Sequence, residues 1–169
     1  MNKTADPFVH SREITEALPG GILLTSAAEG RVNTMTIGWG ALGTDWGKPM
    51  FLALVRESRF TRELIDKNPE FTINVPYGEF DRKILGFCGS KSGRDVDKIK
   101  ELGLTLVDSQ VISVPGIKEL PLTLECRVAA RQKQEPALIG EAYRKAFYPE
   151  PCDAHIMYFG EIVNAYIIS

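Results

Sequence analysis

The stretch Val32–Gly40, read V-N-T-M-T-I-G-W-G, decides the fold together with its continuation Ala41–Pro49, A-L-G-T-D-W-G-K-P. Val32, Thr34, Thr36 and Ile37 are β-branched, which favours a pleated strand over a helix. On such a strand Asn33, Met35, Ile37 and Trp39 share one face, and Val32, Thr34, Thr36 and Gly38 the other. Gly38 and Gly40 bracket Trp39, and a glycine within a strand marks a bulge or a close approach to the backbone. The Asn33 amide both donates and accepts, with hydroxyls beside it at Thr34 and Thr36. That set suits a planar heterocycle with alternating donors and acceptors, such as a flavin pyrimidine ring. A barrel strand whose Trp39 is simply core satisfies the same periodicity.

Outward from this stretch the chain reads as an ordinary globular one. It has 169 residues, 44% hydrophobic and 25% charged, which predicts one domain with a sizeable core. A net charge of −2 leaves no nucleic-acid footprint. No apolar run is long enough to span a bilayer, so no membrane partner is expected. The start, M-N-K-T-A-D-P-F, lacks the apolar core of a secretory signal. Cys88, Cys126 and Cys152 are odd in number and widely spaced, which fits neither a disulfide framework nor a metal site and points to the cytoplasm.

Met1–Glu16 reads as an arm or a short edge element, and Pro19-Gly20-Gly21 as a turn before a first strand at 22–28. Glu29-Gly30-Arg31 joins that strand to the central stretch as a hairpin. Lys48-Pro49 interrupts before an apolar strand at 50–55. A helix over 60–66, with Ser58 as its N-cap, is followed by Asn68-Pro69 and a strand at 70–75. A helical spacing covers 79–87, and Asp95 is placed to cap a helix at 96–102 that Gly103 stops. Short strands fall within 104–120, and L-T-L-E-C-R-V-A-A at 122–130 alternates clearly. Residues 136–148 read as a helix or an ordered loop, and 154–168 as one long strand or two. The class is mainly β with short helices, arranged as a Greek-key barrel.

Two segments carry legible chemistry. Arg56-Glu57-Ser58-Arg59-Phe60-Thr61 sets two guanidiniums and two hydroxyls beside a helix start, which suits a phosphate. A capped helix with solvated arginines accounts for the same string. Cys88–Lys98, C-G-S-K-S-G-R-D-V-D-K, has the composition of a phosphate loop without its G-x-x-x-x-G-K-[ST] spacing. It still supplies backbone N–H groups and the cations Lys91 and Arg94.

The pieces N-T-M-T-I-G-W-G, W-G-K-P, R-x-S-R-x-T at 56–61, F-T-I-N-V-P at 71–76, S-G-R-D-x-D-K at 92–98 and D-A-H-x-M-Y-x-G-E at 153–161 occur in that order. Together they resemble the flavin reductase-like family of FMN-binding split barrels. The resemblance implies FMN as cofactor, with Asn33, Thr34, Met35, Thr36 and Trp39 near the ring and Arg56, Ser58, Arg59 and Thr61 at the phosphate. It brings Lys91, Ser92, Gly93 and Arg94 close to the cofactor, with Lys91 the candidate charge at the flavin N1–C2 carbonyl. Asn74 either reaches the flavin edge or caps its own turn. His155 is either a proton donor where a nicotinamide approaches or a satisfied structural residue. The implied protein is a homodimer with flavins at the subunit boundary, taking electrons from NAD(P)H and passing them to a free flavin or a redox protein. An electron carrier of the flavoredoxin kind, without nicotinamide turnover, is the alternative. Hydride transfer to a flavin needs no protein nucleophile, and no catalytic triad is present.

Overall fold

The β-branched run around Asn33 forms a strand, but that strand stops at Ile37, short of Trp39. The computed structural model describes residues 2–169. In chain order the elements are β1 (Lys3–Thr4), α1 (Ser11–Ala17), β2 (Ile22–Ala28), β3 (Arg31–Ile37), β4 (Gly40–Asp45), β5 (Lys48–Arg56), α2 (Phe60–Lys67) and β6 (Glu70–Val75). There follow α3 (Lys83–Ser90), α4 (Lys98–Leu102), β7 (Leu106–Val107), β8 (Gly116–Ile117), β9 (Leu122–Lys133), α5 (Glu141–Phe147) and β10 (His155–Ile167). The main sheet runs β3-β2-β6-β9-β10-β5-β4, with β1 added at the far end of β10. Its neighbouring strands pair antiparallel.

β3 and β4 lie at opposite edges of this sheet, yet only Gly38 and Trp39 separate them in the chain. Three Cα–Cα steps reach at most about 11 Å. The two edges must therefore come together, and the sheet curls into a split barrel closed covalently at Trp39.

Inward-facing Ile22, Leu24, Ile37, Phe51, Phe71 and Leu124 fill the barrel. A second apolar cluster, with Leu23, Leu85, Cys88 and Ile117, lies between β2 and the layer of α3 and α4 outside it. β2 is thus covered on both faces, which is why I-L-L-T-S-A-A reads as a continuous apolar run rather than an alternation. α2 packs against β2, β3 and β5.

Several local expectations are corrected. The N-terminal arm contains a helix, α1, whose Ile14 is fully buried in the barrel cluster. Lys48 and Pro49 belong to β5, which the edge strand β4 accommodates after a tight turn at Trp46 and Gly47, both with positive φ. Asp97, not Asp95, caps α4 by accepting from the Lys100 N–H. Of the alternatives left open, the C-terminal segment forms one strand, His155–Ile167, and 136–148 hold a 3-10 turn at Pro136–Leu138 followed by α5.

β10 shifts register against β9 between Phe159 and Gly160. A Cβ at Gly160 would lie 2.4 Å from Phe71 Cζ and 3.0 Å from Cys126 Cβ, so only glycine lets the inner face of β10 pass this close. Gly160→Ala should therefore destabilise the protein by roughly 1–3 kcal/mol, the usual range for overpacking a core. Urea unfolding measures this, and a midpoint equal to the parent's would show that Phe71 yields without cost.

Candidate functional site

Three clefts join end to end along the mouth of the barrel. The first, about 110 Å³, is lined by Asn33, Met35, Ser58–Thr61, Cys88, Lys91–Arg94 and Lys98. The second, about 200 Å³, shares Met35 and Arg59 with it and adds Thr36–Trp39, Leu54, Arg56 and His155. The third, about 830 Å³, shares Gly38, Trp39 and Leu54 with the second.

At the first end the C-terminal part of α3 and the loop to α4 are drawn onto β3 by a buried lysine. Lys98, 4% exposed, donates from Nζ to the carbonyls of Thr34 and Cys88, both at 2.9 Å. Burial lowers its pKa, and the nearby Arg59 guanidinium lowers it further. An ammonium has three hydrogens, so one remains for the cleft that Lys98 lines. The sequence reading did not assign Lys98, although it closes the S-G-R-D-V-D-K motif.

The neighbouring contacts are intimate. Asn33 Nδ2 donates to Thr61 Oγ1 at 2.8 Å, joining β3 to the first turn of α2. A Cβ at Gly93 would lie 2.0 Å from Asn33 Oδ1, so the loop rests directly on that amide. Arg31 donates to the Gly93 carbonyl and lies over the Phe60 ring. Arg94 donates to the Ser58 carbonyl and pairs with Glu63. The Cys88 thiol is pushed up to about 11 by burial, which makes it packing rather than a nucleophile.

The candidate phosphate residues divide by how they are spent. Ser58 does not cap α2. Its hydroxyl and N–H both donate to the Asp153 carboxylate, and Arg59 holds the N-cap position with no side-chain cap. Arg56 donates to the carbonyls of Asp153 and Phe147, so its fork ties down the segment before β10 instead of facing an anion. Arg94 is likewise committed. Arg59 and Lys91 are exposed and line the cleft, and their side chains make no hydrogen bond or ion pair among the described residues.

Two ring candidates are placed elsewhere. Thr34 is fully buried, its hydroxyl shared with Thr25 and the Leu24 carbonyl beneath α3 and α4. Asn74 is also fully buried. Its Nδ2 reaches the carbonyls of Ile117 and Leu120 and the Thr123 hydroxyl, so it holds the β8–β9 connection and touches none of the three clefts. Met35 and Thr36 do line the trough, although the Thr36 hydroxyl donates to the Leu85 carbonyl. Trp39 is not core: it is 39% exposed and stands where the second and third clefts meet.

His155 is 5% exposed, packs beside Trp39, and has Nδ1 2.8 Å from the Tyr148 hydroxyl. That hydroxyl gives its only hydrogen to Gln134 Oε1 at 2.6 Å. It must then accept from His155 Nδ1–H, which leaves a lone pair on Nε2. Burial, reinforced by Arg56, lowers the imidazole to about 4. Of the two expectations for His155, a proton donor or a satisfied structural residue, the geometry favours the second: a neutral ring hydrogen-bonded through Nδ1, with a lone pair on Nε2.

A positively charged end, a stretch bordered by Met35, Thr36 and Leu54, and an imidazole lone pair beside the exposed Trp39 thus lie along one trough. The relatives agree in class. Residues 15–169 match the family described as the flavin reductase like domain, and the chain belongs to that family. An uncharacterized protein of Archaeoglobus fulgidus is 35% identical over 106 residues, covering 63% of this chain, and the chain spans 58% of that relative's length. An FMN-binding domain of a flavin reductase-like enzyme from Shewanella baltica superposes with TM-score 0.70 over 99% of this chain and 77% of its own, at 19% identity. Flavoredoxin from Methanosarcina acetivorans does so with TM-score 0.66 over 88% of this chain and 68% of its own, at 30% identity. No helix among the described residues is long and apolar enough to cross a membrane.

The histidine makes a pH prediction. Its folded value lies below the ordinary 6.5, so its neutral form contributes stability above pH 6.5 that is lost as pH falls from 6.5 toward about 4. An NMR titration should find His155 neutral down to pH 5, and His155→Gln should flatten the loss of stability between pH 6.5 and 4. A midpoint near 6.5 would mean that the ring is not enclosed as described.

Proposed function

We propose that the protein binds FMN along the trough and passes electrons from NAD(P)H through it to a free flavin or a redox protein. One observation carries this reading: positive charge not spent on the protein's own carbonyls and carboxylates gathers at one end. Arg59, Lys91 and the remaining Lys98 hydrogen lie there beside the uncapped start of α2, where backbone N–H groups favour an anion. Arg59 and that helix start would hold the phosphate, and Met35, Thr36 and Trp39 would border the ring. FMN, when bound, supplies the two-electron chemistry. Lys91 and Lys98 line that same end and add positive charge around the phosphate, and neither lines the cleft bordered by Thr36 and Trp39. Nε2 of His155 offers an acceptor to an incoming carboxamide. Homodimerisation follows the family, and cytoplasmic residence accords with the free thiols at Cys88, Cys126 and Cys152.

The second reading, an electron carrier reduced by a protein partner, is favoured by the 30% identity to a flavoredoxin. Anaerobic mixing of FMN-loaded protein with NADH or NADPH separates the two. The reductase bleaches its flavin on the timescale of turnover. A flavin that stays oxidised with both nucleotides, but is reduced by a ferredoxin, establishes the carrier.

The division among the arginines can be measured. A hydrogen bond to a charged group contributes about 1.5–3 kcal/mol, so Arg59→Ala should weaken FMN by about 10- to 150-fold. Riboflavin, which has no phosphate, should bind nearly as before. Arg56→Ala should weaken both ligands alike, because it frees the segment at Phe147 and Asp153 rather than a phosphate contact. Equal losses of FMN and riboflavin in Arg59→Ala would move the phosphate elsewhere.

A further inference from the structure

The third cleft differs in chemistry from the other two. None of the fourteen residues that line it carries a charge. Its larger apolar side chains include Leu18, Trp39, Leu42, Leu54, Tyr143 and Phe147, and Trp39 stacks edge-on against Phe147 at 5.1 Å between centroids. The polar groups are neutral and unequally spent. Gln134 uses Oε1 on Tyr148 and leaves its NH₂ without a partner among the described residues, and the Tyr143 hydroxyl is equally unengaged. The Thr15 and Tyr148 hydroxyls already donate within the protein. A wall of this kind offers a flat apolar molecule two donors and no counter-charge for a phosphate.

We propose that this cleft binds the oxidising substrate, and that the substrate is an uncharged quinone. A quinone is planar and apolar, and its carbonyl oxygens are acceptors of the kind that the unspent donors of Gln134 and Tyr143 can serve. The proposal rests on the FMN reading above and puts a quinone in place of the free flavin or redox protein as acceptor. With FMN held in its anionic reduced form, a hydride from N5 together with one proton from solvent would convert the quinone to its hydroquinone and leave oxidised FMN. The shared lining at Gly38, Trp39 and Leu54 puts the quinone next to the ring cleft. A nucleotide acceptor would instead bring phosphates into a place with no cation to receive them.

The test is calorimetric titration of the oxidised protein, FMN-free and FMN-loaded, with duroquinone and with anthraquinone sulfonate. Duroquinone should bind both forms, and the anionic quinone at least about tenfold more weakly, given the cost of an uncompensated charge. Tyr143→Phe should weaken duroquinone by about 3- to 10-fold while leaving FMN affinity unchanged. Equal or tighter binding of the sulfonate would overturn the proposal. So would absence of duroquinone binding in protein that still saturates with FMN, as when a second copy of the chain covers the cleft. Failure to bind FMN, with duroquinone still bound, would overturn the FMN reading and keep the neutral cleft.

Discussion

The double pairing of β10 fixes where nearly everything functional lies. This 13-residue strand is bonded along one side to β9 and along the other to β5 and β1. Its register puts His155 opposite Arg56, and the Gln134 N–H at the end of β9 donates to the His155 carbonyl. Three residues that belong to three separate strands or their ends thereby meet at one level of the barrel. A slip of one residue would turn the His155 side chain to the other face of the sheet. The glycine at 160, pressed against Phe71, makes such a slip sterically expensive.

From that level the other parts are added by side chains acting on backbone. Arg56 grips two carbonyls of the segment between β9 and β10, and Ser58 grips Asp153. Lys98 grips Thr34 and Cys88 on the opposite wall. Both walls of the trough are therefore held by cations whose charge is partly consumed in holding them. What is left over, at Arg59, Lys91 and one hydrogen of Lys98, is concentrated at a single end. That polarity orients a ligand whose anionic group is also at one end.

Much of the barrel was legible because burial writes itself into pattern. β2 and β6 begin and end where the sequence reading put them, since both are bounded by turn residues and filled with apolar ones. The site was harder to read, because residue type does not say how a side chain is spent. R-x-S-R-x-T offers two arginines, and only contacts 91 and 97 residues away show that Arg56 is occupied. Asn74 lies in a motif that resembles the family's, yet its partners are supplied by a loop more than 40 residues distant. Lys98 was missed for the reverse reason. Lysine after aspartate at a helix start looks solvated, and nothing local reports that two carbonyls wait beneath it.

The same reasoning bears on His155, where type and role come apart most clearly. A histidine near a redox ring invites a proton-transfer role, because its unperturbed pKa spans neutral pH. Here Tyr148 and Gln134 fix the tautomer while burial and Arg56 suppress the charged form. Arg56 thus acts twice: it holds the neighbouring segment closed, and its charge keeps the imidazole neutral. A residue with its proton turned away from the trough and a lone pair on Nε2 is suited to orient a donor-bearing ligand, not to protonate one. On the reading proposed above, the contribution of His155 is therefore position rather than a proton.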